Sequence, residues 1–215
     1  MVNSYFPQRT QLVINQMRSV AMFPNQALVS FNQMGGEVEP GFRLMMSQSN
    51  GTAGTIYYTT NGSAPDTETG TLYSEPVPVS RTTTIRARAY KTGYLPTDVD
   101  THTYIFVDDI LTQTGGGFPT TWGSVAANYE MDLEVVQSPL YRDEMRDDLK
   151  SLPIMSIVMD LDDLFGPSRG IYSNPGGEGA AWERPGSVEF IVPDGVEVPG
   201  SDDGFHVNCG VRIYG

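Results

Sequence analysis

Three carboxylates fall within four positions in the stretch MDLDDLFG: Asp160, Asp162 and Asp163. Clustered carboxylates suit a hard cation such as calcium, but known calcium loops supply more ligands at set spacings and a glycine in the turn. Acids that follow a strand also cap the helix after it, and capping is the reading this pattern favours. A second pair, Asp202-Asp203, sits in the acidic loop PDGVEVPGSDDG and reads as solvated. Phosphoryl transfer needs a cation on the phosphates, acids for Mg²⁺ and a base near the acceptor hydroxyl. The two lysines, Lys91 at a strand end and Lys150 at a helix end, lie in no phosphate-cradling context, and GGG at 115–117 reads as a connector. His102 and His206 fall in separate strand patterns without a partner spacing, and read as exposed strand residues rather than general bases. No Ser/His/acid arrangement of recognisable spacing is present. Trp122, Trp182, Tyr57 and Tyr58 offer faces on which sugars stack, yet large aromatics more often supply buried area. The residue pattern thus assigns no catalytic residue, no cofactor-binding residue, no metal ligand and no cofactor.

Charge divides the chain. Of 215 residues, 26 are acidic and 13 are Lys or Arg, a net charge of −13. Residues 1–107 hold seven acids and seven bases, so the whole excess lies in 108–215. A shift of this size marks a domain boundary near residue 108. An acidic chain repels phosphate backbones, which excludes nucleic acid as the expected partner. The single cysteine, Cys209, rules out an internal disulfide and a cysteine-based zinc site, and its strand context reads as a buried structural thiol. No apolar run is long enough to cross a membrane. MVNSYFPQRT lacks the basic start and apolar stretch of a signal peptide, so either the protein is cytoplasmic or Met1 is not the natural start.

The elements that must position these residues follow from periodicity. YFPQRTQLVINQMRSVAMFP reads as one helix, with Pro7 in its first turn, Leu12, Val13, Met17 and Val20 on one face, and Pro24 as its stop. Residues 27–107 read as short strands: ALVSFNQ, FRLMMSQ, TIYYTT, TTIRARAYK and THTYIFV. In the fourth, Ile85, Ala87 and Ala89 alternate with Arg86, Arg88 and Tyr90, which points the first set inward and the arginines into water. Asn61-Gly62 suits a tight turn that needs positive φ, and Pro65-Asp66 delays the return, so a loop spans 61–73. Asn61-Gly-Ser also has the form of a glycosylation sequon. Beyond 108, SPLYRDEMRDDLK reads as a short helix capped by Ser138 with Pro139 first. LPIMSIVMD reads as a strand buried on both faces. SVEFIV and FHVNCGVRIYG read as strands, and in the last Phe205, Val207, Cys209, Val211 and Ile213 share a face opposite His206, Asn208 and Arg212.

Two motif sets carry resemblances. Tyr58 to Pro65, Tyr73, Thr84 to Ala89 and Thr101 to Tyr104 resemble the β-sandwich named after the C-terminal domain of chitobiase and β-hexosaminidase, over most of 35–107. In that family the module is accessory, not catalytic. Leu-Pro at 152–153, Gly-Ile-Tyr at 170–172, Trp-Glu-Arg-Pro at 182–185 and Gly-Val-Arg-Ile-x-Gly at 210–215 resemble the leading part of CotH kinase family proteins. The segment at 5–10 resembles the closing helix of such a domain. In that family the nucleotide- and metal-binding residues lie downstream of the position of Gly215, so none carries over.

The expected fold is mainly β: an immunoglobulin-like β-sandwich (27–107), an incomplete α+β segment (108–215) and one N-terminal helix (1–26). The expected role is a non-catalytic accessory or spacer sandwich joined to the start of a CotH-type protein, outside a bacterial cell or in its envelope. Its partners would be the remainder of a larger multidomain protein and, in the alternative reading as a carbohydrate-binding module, a glycan or cell-surface component. Strand 205–214 should leave one edge without a partner.

Overall fold

Alternation along TTIRARAY builds the centre of the molecule. The computed structural model describes residues 2–20, 22, 26–49, 53–122, 125–193, 195–196 and 204–214. After helix α1 (Val2–Ser19) come β1 (Val29–Phe31), β2 (Gly36–Glu37), β3 (Arg43–Leu44), β4 (Met46–Gln48), β5 (Thr55–Thr59), β6 (Thr71–Leu72), β7 (Val77–Pro78), β8 (Thr83–Tyr90) and β9 (Asp100–Ile105). A five-stranded sheet runs β2-β9-β8-β5-β6, and two ribbons, β1-β4 and β3-β7, pack on it. All pairs are antiparallel except β2 with β9. Val29, Leu44, Met46, Ile56, Ile85, Ala87, Ala89 and Tyr104 form the buried core between the layers. Tyr73 packs against it, and its hydroxyl accepts the Met46 N–H at 3.0 Å. This mainly β, sandwich-like architecture follows from period-two apolar residues on strands too short to bury a face alone.

The second half holds α2 (Val107–Thr112), β10 (Thr121–Trp122), β11 (Val125–Ala126), α3 (Leu133–Val136), α4 (Met145–Lys150), β12 (Ile154–Met159), α5 (Leu161–Phe165), a 3₁₀ turn (Ala180–Trp182), β13 (Arg184–Ile191) and β14 (Phe205–Val211). Strands β12, β13 and β14 form an antiparallel sheet in that order. Residues paired in register share a face. One face therefore carries Ser156, Ser187, Glu189, His206 and Asn208 and packs on β8 and β9 of the sandwich. The other carries Met155, Ile157, Val188, Phe190, Phe205 and Val207.

Several expectations change here. Arg86 is only 5% exposed, because the sheet face expected to meet water is roofed by β13. LPIMSIVMD is not buried on both faces: Met155 is 60% and Ile157 54% exposed, since among the described residues nothing covers that side of β12. The helix at 138–150 forms only from Met145; Ser138 instead accepts the Leu140 N–H in a local turn. Helix α1 starts at Val2, so Pro7 lies in its second turn; Leu12, Val13, Met17 and Val20 are exposed, and Pro24 lies outside the described residues. FRLMMSQ divides into β3 and β4 at Met45, and Cys209 is half-buried and free.

Candidate functional site

The acidic cluster caps a helix. Asp160 is the N-cap of α5 and accepts the Asp162 N–H at 2.8 Å. Asp163 is buried and pairs with Arg169, with Arg184 3.9 Å away. Lys150 pairs with Glu37, which raises its pKa. Trp122 donates to the Tyr129 hydroxyl at 3.0 Å, and the Arg184 guanidinium lies 5.1 Å from the Trp182 ring. Tyr58 packs on the core, while Tyr57 meets Tyr90 edge to face at 5.8 Å. Asp202 and Asp203 lie outside the described residues.

What converges instead is the seam between β9 and the three-stranded sheet. β9 pairs with β2 only at Tyr104 and Ile105, so the outer edge of its earlier residues needs other partners. Glu189 on β13 supplies one: its carboxylate accepts the Thr103 N–H at 2.8 Å. The same carboxylate lies 2.6 Å from His102 Nδ1. Gly35 makes this fit possible, since a Cβ there would collide with the Glu189 carboxylate. The Gly35 N–H also lies 3.2 Å from Nδ1, which cannot donate and accept at once. The carboxylate contact is shorter and charge-assisted, so the proton is assigned to Nδ1.

Beside it runs a second chain of bonds. The buried Arg86 donates to Gly62 O at 2.7 Å, Thr101 Oγ1 at 3.3 Å and Ser187 Oγ at 3.4 Å. Ser187 also bonds Thr101 and Asn208, and Asn208 reaches Val99 O at 2.7 Å. Burial lowers the Arg86 pKa, Asp160 raises it again and Arg88 lowers it. Burial, with Glu189 and Asp100 nearby, pushes the Tyr104 hydroxyl well up. The loop after β5 joins this seam: Asn61 Oδ1 accepts from Ser63 N–H and Oγ, and Gly62, at φ 84°, brings its backbone against Met159 O. That turn is thus a structural docking element.

At the solvent end of the seam, Asp100, His102 and His206 come together. Asp100 Oδ1 lies 3.5 Å from Nε2 of His102 and 3.5 Å from Nε2 of His206. The three donor atoms all lie within 4.8 Å of one another. The expectation that both histidines sit exposed and apart fails for His102, which is fully buried, T-shaped against Phe31 and 5.1 Å from the His206 ring. The alternation Asp-x-His in DTHTYI places Asp100 and His102 on one face, and that was the available signal; His206 comes from a strand whose position β9 alone does not reveal.

Residues 44–104 match the family model described as Fn3 associated. The match lies inside the sandwich and runs from β3 to β9, the strand that carries Asp100 and His102. No curated protein and no solved structure matches the chain. The β-sandwich in the first half of the molecule is thus similar to the Fn3-associated family over residues 44–104.

Proposed function

We propose that this chain is a non-catalytic accessory module in which the sandwich docks and orients the leading part of a CotH-type domain, outside the cell or in its envelope. The observation that carries this reading is the inverted polarity of the β12–β14 sheet. Its hydrogen-bonding face is spent on the sandwich, and its apolar face, with Met155, Ile157, Phe205 and Val207, is left in solvent. A contiguous apolar sheet face rimmed by polar residues marks an interaction surface. On this reading the rest of the CotH-type domain covers it. The motifs at 152–153, 170–172, 182–185 and 210–215 support the assignment.

The test is the reading frame around the gene together with an assay. A frame that continues past Gly215 into a domain bearing Lys and Asp supports the proposal, and a stop directly after Gly215 overturns it. The chain itself should transfer no phosphate from labelled ATP to a generic acceptor; incorporation that is lost on mutating this chain would overturn the non-catalytic reading. The carbohydrate-binding alternative has less support, because Tyr57 and Tyr90 meet edge to face at 84° and so do not form one coplanar platform. A sugar-specific glycan-array signal lost in Tyr57→Ala would restore it.

A further inference from the structure

We propose that Asp100, His102 and His206 bind one divalent transition-metal ion of the zinc class, and that the ion clips the sandwich to the three-stranded sheet. This goes beyond the accessory-module reading and does not depend on it.

The first argument is spacing. A tetrahedral ion with bonds of about 2.0–2.1 Å holds its donor atoms about 3.4 Å apart. Two of the three separations here, both from Asp100 Oδ1, are already 3.5 Å. The second argument is the state of His102. With its Nδ1 proton donated to Glu189, Nε2 presents a lone pair, and another acceptor, Asp100 Oδ1, lies 3.5 Å from it. Nε2 is buried and, among the described residues, has no hydrogen-bond partner. A metal cation between two such acceptors would satisfy both, and leaving a buried polar group unmet carries a desolvation cost. The third argument is the shell behind the ligand. A ligating imidazole ordinarily donates its other N–H to a carboxylate, which fixes ring orientation and raises basicity, and Glu189 does this for His102.

The ligand chemistry selects the ion. Two imidazoles and one carboxylate suit zinc and its neighbours, whereas calcium and magnesium take oxygen ligands. Asp100 and Glu189 together balance a dipositive charge. The His206 side chain is 45% exposed and that of Asp100 18%, so an ion can enter from solvent and keep a water as its fourth ligand. Asp100 and His102 belong to β9 and His206 to β14, so binding requires the two units to be docked.

The test uses the full chain without an affinity tag, stripped by chelator and titrated with zinc against a chromogenic competitor. We expect one equivalent bound and a rise in melting temperature that calcium and magnesium do not reproduce. His206→Ala removes only an exposed ring, so it should fold as the parent does; we expect it to lose the stoichiometric binding and the thermal shift. Glu189→Gln should weaken binding about 10- to 100-fold. Cobalt should give the visible absorption of a low-coordinate site in the parent and not in His206→Ala. If the parent takes up no zinc at one equivalent, the cluster is a proton-bridged histidine–aspartate set and the proposal is overturned. Zinc binding equally tight in His206→Ala overturns it as well.

Discussion

At the scale of single residues, the buried polar groups of the seam set the energetics. Arg86 serves Gly62, Thr101 and Ser187 at once. Arg86→Met keeps much of the volume but leaves the Gly62 carbonyl without its donor. It should cost about 1–3 kcal/mol in denaturant unfolding. Asp66 offers a pH test. Its carboxylate accepts from the Thr69 N–H and hydroxyl and from the Glu68 N–H, and these bonds hold its pKa below the ordinary 3.8. A lowered folded-state pKa gives a contribution that is present above 3.8 and lost as pH falls through the folded value. Amide protection at Glu68 and Thr69 should therefore fall on acidification below that range, and Asp66→Asn should remove the dependence. Sequence showed Asp160 as a cap because the partner N–H lies two residues away. It did not show that Arg86 meets Ser187, 101 positions on, or that His102 meets Glu189, 87 positions on; no local pattern encodes such a meeting.

At the scale of elements, the β12–β14 sheet has its polar side inward and its apolar side outward. The alternation in FHVNCGV was plain in the sequence, but alternation says only that two faces differ, not which one is covered. The neighbouring sandwich decides it by offering Arg86, Thr101, His102 and Thr103 as polar partners. Strand β14 is also a sheet edge, paired only with β13 among the described residues. An exposed apolar face beside an open edge promotes association. The protein should thus self-associate with rising concentration in light scattering. Ile157→Lys, at an exposed site, should reduce that association while changing stability by no more than about 0.5 kcal/mol.

At the scale of the whole molecule, the two halves share one buried polar seam. A double-mutant cycle pairing Arg86→Met with Ser187→Ala should show a coupling of about 0.5–3 kcal/mol, since the two sites share a network. Zero coupling would mean that the halves are mechanically separate. Residues 27–107 expressed alone should fold, because water can replace the lost partners of its polar face. Residues 108–215 alone should precipitate, because their sheet keeps its exposed apolar face and open β14 edge while losing the polar bonds that seat it on the sandwich. Circular dichroism and solubility of the two pieces check this. The sandwich was legible as a set of short strands. The docking of one half on the other was not, because it depends on side chains that meet only once both sheets exist.

Surfaces of oil slide over one another, but bonds with direction admit a single seating. If β13 slipped by one place against β9, the guanidinium of Arg86 and the carboxylate of Glu189 would both lose their mates. The joint therefore behaves as a bracket does, setting the bearing of whatever is mounted on it.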